Sequence, residues 1–204
     1  MPNDALMPLS AHDAARTKAL LDFWFGAPGT PECDQPREIW FKADAAFDTA
    51  LRAAFLEDHR RAAAGACAHW LQSCDSALAL ALLLDQLPRN LHRGQAEAFA
   101  CDALARATAR QAIARGHDML LPPVRRGFLY LPFEHSEDLA DQELALALYA
   151  AMPAGPHYDS QLDFARRHHA VIARFGRFPH RNQALGRVST PEEEAFLASP
   201  DAPF

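Results

Sequence analysis

A run of eight apolar residues, Ala77 to Leu84, inside the stretch SALALALLLDQL at 76–87, constrains what this chain can fold into more than any other feature. A helix drawn through it has no polar face, so other elements must enclose it on every side. The run is less than half the roughly 20 residues needed to cross a bilayer. It therefore reads as the centre of a helical bundle and not as a membrane span. Elsewhere apolar residues recur at helical spacing, and alternation with period two is nearly absent. The chain is all-α.

Caps and breakers mark out the helices. Ser10 predicts the N-cap of a helix through Leu20, Phe23 and Phe25 that stops at Gly26. Phe47, Leu51 and Phe55, at i, i+4 and i+8, predict a second from about Asp44 to Ala64, ending at Gly65. A short helical segment is expected around Trp70, and Pro88 is expected to end the central helix. Gln95 to Arg115 is alanine-rich and closes at Gly116, while Pro122-Pro123 opens a short helix that Pro132 interrupts. Ser136 reads as the N-cap of the next helix, with Glu137 and Asp138 as first-turn acids. A further helix is expected from near Asp159 to Phe175, with Gly176 as its C′ residue and RFPHRN at 177–182 as an extended connection. Thr190-Pro191-Glu192-Glu193 has the form of a capping box with proline at N1. The count is about seven to nine helices, joined by short loops as antiparallel hairpins.

With 204 residues, half of them hydrophobic and 23% charged, the chain is long enough to bury a sizeable core as one domain. That domain is expected to span 1–204, with its core at about 10–198 and short flexible termini. The opening MPNDALMPLS has neither a basic n-region nor an apolar h-region, so a cytoplasmic location is expected. Cys33, Cys67, Cys74 and Cys101 contain no C-x-x-C pair and read as reduced thiols. A net charge of −6 argues against a nucleic-acid partner, which calls for a basic face. No G-x-S-x-G, Walker loop or G-x-G-x-x-G is present, and no cofactor is called for.

Charge is nevertheless unevenly placed. Residues 164–187 carry Arg166, Arg167, Arg174, Arg177, Arg181 and Arg187, together with three histidines, and contain no acid. Helix C-termini and solvated faces account for some of these cations. Arg177 and Arg181 are different, because they flank Phe178 and Pro179, which are expected to pack inward. Asp85 ends the apolar run and should need a cationic or hydrogen-bonding partner; an arginine from 174–181 would serve.

The turns LPRN at 87–90 and FPHRN at 178–182 offer the same kit of apolar residue, proline, arginine and asparagine. If they converge, Arg89, Asn90, Arg93, Arg177, His180, Arg181 and Asn182 form a clamp for a carboxylate or phosphate. The competing reading has each asparagine capping its own turn and each arginine held in an internal ion pair. Glu134 and His135, joined by His168, are candidates for general acid–base chemistry or for holding a divalent metal. Neither H-E-x-x-H nor E-x-x-H occurs, so no metal is expected. His168 also shares a face with Phe164, Val171 and Phe175, as a buried histidine would. Trp24, Trp40 and Phe41 could pack the core or line a groove.

Four blocks, LDFWFG at 21–26, LLLDQLPRNLHRG at 82–94, FLYLPFEHSEDLADQ at 128–142 and RFGRFPHRNQALGRVST at 174–190, resemble the bacterial family catalogued as domain of unknown function 924. The resemblance runs from about Leu20 to Leu197. It implies a tetratricopeptide-like helical fold and brings no activity with it. The positions it covers are Asp85, Gln86, Pro88, Arg89, Asn90, Arg93, Glu134, His135, Ser136, Glu137, Gln142, His168, Arg177, Pro179, His180, Arg181 and Asn182.

Three functions are compatible with these residues. The first is a binding module for an anionic small molecule or peptide terminus, on the concave face of a helical-hairpin array; a protein partner is possible, and no membrane is expected. The second is a hydrolase acting on an anionic substrate, metal-assisted or not, with His135 or His168 as acid or base beside Glu134. In the third, the constellation is an internal ion-pair network that fixes helix ends.

Overall fold

The computed structural model describes residues 9–199, and the termini expected to be flexible lie outside that range. Among the described residues, eight α-helices follow one another: α1 Ala11–Phe25, α2 Ala45–Ala63, α3 Cys74–Leu91, α4 Asp102–Ala114, α5 Pro123–Glu134, α6 Leu139–Ala150, α7 Pro156–Phe175 and α8 Pro191–Leu197. Short 3-10 segments lie between several of them, and no strand occurs among the described residues.

The apolar run takes the central place its composition requires. Every residue from Ser76 to Pro88 is buried, and α3 packs against α1, α2, α4 and α5. Consecutive helices fold back on each other, with α5 against α6 and α6 against α7 across short connections, as in helical hairpins. An aromatic cluster fills the space between α1, the 3-10 turn Glu38–Trp40 and α5. Phe128 is its hub, with ring centroids 4.9 Å from Trp40 and 5.2 Å from Phe25. Burial at roughly 25 cal/mol per Å² makes this core the main stabilising term. A smaller apolar cluster of Val171, Ile172 and Phe178, with Phe175 and Phe196 packed on it, ties the end of α7 to α8.

Most caps lie where the residues predict them. Ser10, Asp44 and Thr190 each accept from a backbone N–H, and the Thr190–Glu193 box is complete. Gly176 adopts the left-handed conformation, φ 66°. Gly26 is required twice over: its φ is 84°, and a Cβ there would sit 2.8 Å from the backbone carbon of Glu32.

Several boundaries differ from expectation. Pro88 does not end α3, which continues to Leu91. The helix is enclosed on all faces there, so burial outweighs the single hydrogen bond that proline removes. Pro132 likewise sits inside α5. The alanine-rich segment divides into a 3-10 turn, Ala96–Phe99, and α4. The N-cap of α6 is Asp138, whose side chain accepts from Ala140 N; Ser136 stands just outside, donating to Asp141 Oδ2 at 2.8 Å. Segment 177–182 is not extended throughout. Phe178 is extended, and Pro179–Arg181 then closes one 3-10 turn, for which proline's fixed φ is suited.

Candidate functional site

A cleft of about 660 Å³ opens where α3, α5, α6 and α7 meet the loop before α2. The C-terminal part of α3 contributes Gln86, Arg89 and Asn90, with Arg93 just beyond it; α5 contributes Leu131 and Glu134, with His135 following. Tyr149 comes from α6, His157 to His168 from α7, and Arg37, Trp40 and Phe41 from the loop.

Asp85 lies behind this wall, 1% exposed. Its two oxygens are 2.9 and 3.0 Å from His135 Nδ1, Gln86 Nε2 donates to Oδ2 at 2.6 Å, and Arg89 Nη1 lies 3.2 Å from Oδ1. Burial alone would raise the carboxyl's pKa, but the adjacent Arg89 and His135 hold it well below the usual carboxylate range. The counterion is therefore not an arginine from 174–181. Because α3 runs on past Pro88, Arg89 falls one turn after Asp85 on the same face.

Burial, with the Arg89 charge, pushes the pKa of His135 down, so the imidazole is neutral at pH 7. Its Nδ1–H is committed to the Asp85 carboxylate, which selects the tautomer whose Nε2 carries the lone pair. Asp85 does not line the cleft and His135 does. Nε2 has no hydrogen-bond partner among the described residues. The result is a carboxylate-oriented imidazole presenting a basic nitrogen to a cleft.

Glu134, next in the wall, is 3% exposed. Burial pushes its carboxyl pKa up to about 8, assisted by the Asp85 charge. Tyr149 donates its hydroxyl to Gly127 O at 3.1 Å, and its hydrogen bond to Glu134 works against the upward shift without cancelling it. His168 Nδ1 lies 2.9 Å from Phe164 O and 3.1 Å from Glu134 Oε1. Its pKa is held well below the ordinary histidine value by burial and by His135, whose ring centroid is 6.2 Å away. Glu134, His135 and His168 thus assemble as neutral groups with different proton occupancies. Among the described residues, no three His, Cys, Asp or Glu side chains are grouped to hold a metal ion.

The second arginine corner is built differently. Arg177 Nε and Nη2 donate to Glu193 at 2.6 and 2.7 Å, and Asn182 Nδ2 donates to the same carboxylate at 3.2 Å and to Ser189 Oγ at 3.1 Å. Arg181 is sandwiched between Phe99 and Phe178, its guanidinium carbon 4.6 and 4.4 Å from the ring centroids, and reaches Asp102 at 3.2 Å and His135 O at 2.9 Å. Arg174 pairs with Glu192, Arg187 with Glu137 and Arg167 with Asp163. The acid-free stretch thus takes its counterions from other segments. His180 is exposed, 5.5 Å ring to ring from Phe178.

The two turns meet only in part. Arg89 and Arg181 both bond to Asp102, at 2.8 and 3.2 Å. Asn90 instead donates to Asp48 at 2.7 Å, where Arg93 also pairs at 3.2 Å, while Asn182 is committed to Glu193. Arg89, Asn90 and Arg93 line the cleft; Arg177, His180, Arg181 and Asn182 do not.

Several groups that line the cleft are absent from the sequence-level candidates. Tyr149, Gln161 and Arg37 carry no local signature. A tryptophan–phenylalanine pair in a proline-rich loop, by contrast, was visible as a possible groove wall. Trp24 is core, 1% exposed, whereas Phe41 is 61% exposed beside the cleft. On the α7 wall, Gln161 Oε1 and His157 Nε2 are buried without a hydrogen-bond partner among the described residues, as is common where a ligand or water completes the bonding.

The sequence profile of a family described as "Bacterial protein of unknown function (DUF924)" matches residues 20–201. A solved structure of a protein of unknown function from Agrobacterium tumefaciens is 44% identical to this chain, covering 91% of it and 98% of its own length, with a TM-score of 0.80. No curated protein matches.

Proposed function

This chain belongs to that bacterial family of unknown function, and from that premise we propose that it is a hydrolase of the cytoplasm, built on a tetratricopeptide-like scaffold and acting on a small anionic substrate held in the cleft. The observation that carries the reading is the Asp85–His135 pair, with His135 Nε2 open to the cleft and Nδ1 bound to a buried carboxylate. In this reading His135 takes a proton from an attacking water, and Asp85 stabilises the imidazolium that forms, as an orienting carboxylate does in a catalytic triad. Glu134 keeps its proton at neutral pH because burial penalises its charged form, so it supplies that proton to the leaving group. Two adjacent groups pushed to opposite roles by their surroundings are the usual basis of paired acid–base chemistry. Metal assistance is not needed for these steps.

The test is a panel of small esters, amides and phosphate esters bearing an anionic group, assayed with wild type and with His135→Gln. General acid–base catalysis contributes roughly 10²- to 10⁴-fold, so His135→Gln should lose at least about 100-fold in kcat while remaining folded. Activity should also fall as pH rises through about 8, where Glu134 gives up its proton. A panel in which wild type is no faster than His135→Gln on every compound defeats the reading.

A further inference from the structure

Resting on that reading of the cleft, we infer that Arg37 is the anion-recognition residue and that the ligand is a monocarboxylate with a flat apolar body. Arg37 stands immediately before the 3-10 turn Glu38–Trp40 and lines the cleft. Its Nη1 donates to Phe23 O at 3.0 Å and Trp24 O at 2.8 Å, carbonyls in the last turn of α1. Trp40 Nε1 donates to the same Trp24 carbonyl at 2.8 Å, so the guanidinium and the indole are fixed relative to one another. A guanidinium has five N–H donors. Those on Nε and Nη2 have no partner among the described residues and are not buried, so they remain available.

Arg37 differs from the other cleft arginines in its charge balance. Arg89 is paired with Asp85 and Asp102, and Arg93 with Asp48. No carboxylate of the described residues lies within ion-pair distance of Arg37. Glu38, the nearest acid in sequence, is turned to Lys42, and Glu134 is uncharged at neutral pH. The cleft therefore holds one fixed, uncompensated positive charge in a chain whose net charge is −6. A guanidinium fork matches a carboxylate through two parallel bonds, and one charge balances a carboxylate better than a phosphomonoester dianion.

The rest of the ligand is set by the rings around it. Phe41 is 61% exposed and Phe164 45% exposed, and both line the cleft with Trp40. Phe41 is held by stacking on Phe128, centroids 6.4 Å apart and planes 6° from parallel. Exposed rings fixed by packing on their inner side offer a flat apolar body an offset-stacking surface.

The probes are phenylacetate, its neutral analogue phenylacetamide, and phenyl phosphate, titrated calorimetrically into the full chain. Phenylacetate should saturate. Charge-assisted hydrogen bonding predicts that phenylacetamide binds roughly tenfold to hundredfold more weakly. Arg37→Gln should reduce phenylacetate to the phenylacetamide level, and Arg37→Lys, which keeps the charge but not the fork, should fall between. Thermal unfolding of the Lys variant separates lost binding from lost folding. Wild-type binding of phenylacetate by Arg37→Gln, equal affinity for acid and amide, tighter binding of phenyl phosphate, or no saturable binding by any probe would each overturn the inference. Wild type itself separates the two readings: saturable phenylacetate binding by wild type that hydrolyses no panel compound faster than His135→Gln leaves the carboxylate site standing and removes the hydrolase.

Discussion

The corners at 87–90 and 178–182 contain proline, arginine and asparagine in nearly the same order, yet they end in different environments. The first stays helical inside α3 and sends Arg89 and Asn90 to the wall of an open cleft. The second leaves α7 through a left-handed glycine, closes as a 3-10 turn and is sealed by α8. The difference lies in the carboxylates that each corner meets. Glu193 fills a capping box and takes Arg177 and Asn182 as further donors, so Arg177 is neutralised by the helix that seals the corner, while Arg181 draws on the Asp102 that it shares with Arg89. In the first, Asp85 is shared by Arg89 and a histidine that faces the cleft. A short motif therefore predicts side-chain chemistry without predicting whether that chemistry is used up internally.

The largest expected effect is at the buried acid of the first corner. Asp85→Asn leaves His135 without its carboxylate and Arg89 with only the Asp102 it shares with Arg181, and a buried pair broken from one side costs roughly 3 to 5 kcal/mol. Urea denaturation measures it. A loss below about 1 kcal/mol, the range of a surface pair, would erase the distinction between the corners.

Next comes Glu134, and the effect depends on pH. Its folded pKa of about 8 lies above the ordinary 4.5. The neutral form is thus preferred in the native state, and the stability associated with it is fully present below pH 4.5 and lost as pH rises to 8. At one pKa unit per 1.36 kcal/mol, the loss across that window is of the order of 5 kcal/mol. Wild type should weaken over this interval relative to Glu134→Gln, whose stability lacks this component. Parallel curves for the two proteins would show that the carboxyl is ionised in the fold.

The smallest effect belongs to the second corner. Thr190→Ala removes one side of the α8 capping box and should cost about 1 kcal/mol, with no change in cleft binding. A binding change would mean that the sealed corner communicates with the cleft.

How much of this could be read in advance varies with distance along the chain. The central helix, the caps at Ser10 and Thr190, the start of the second helix near Asp44, and the αL glycine at 176 follow from residues within four positions of one another, so local rules find them. The proline at 88 misleads because its penalty of one lost hydrogen bond is local, whereas the enclosure that outweighs it comes from four other helices. Ser136 misleads by two positions because Asp138, equally able to cap, lies closer to the first helical turn. Glu134, His135 and His168 were recognisable as candidate acid–base groups, but the orienting role of Asp85 was not assigned, since its pairing with His135 spans 50 positions.

By itself the sequence determined an all-helical chain with a buried central helix, the approximate helix boundaries and a short roster of titratable residues, because periodicity and capping act over one or two turns. Only the tertiary structure decided which of the cations were already neutralised. Asp102 meets Arg181 across 79 positions, and Arg37 stands without a carboxylate among the described residues. Counterion choice depends on which helix ends meet in space, a property that no local pattern encodes.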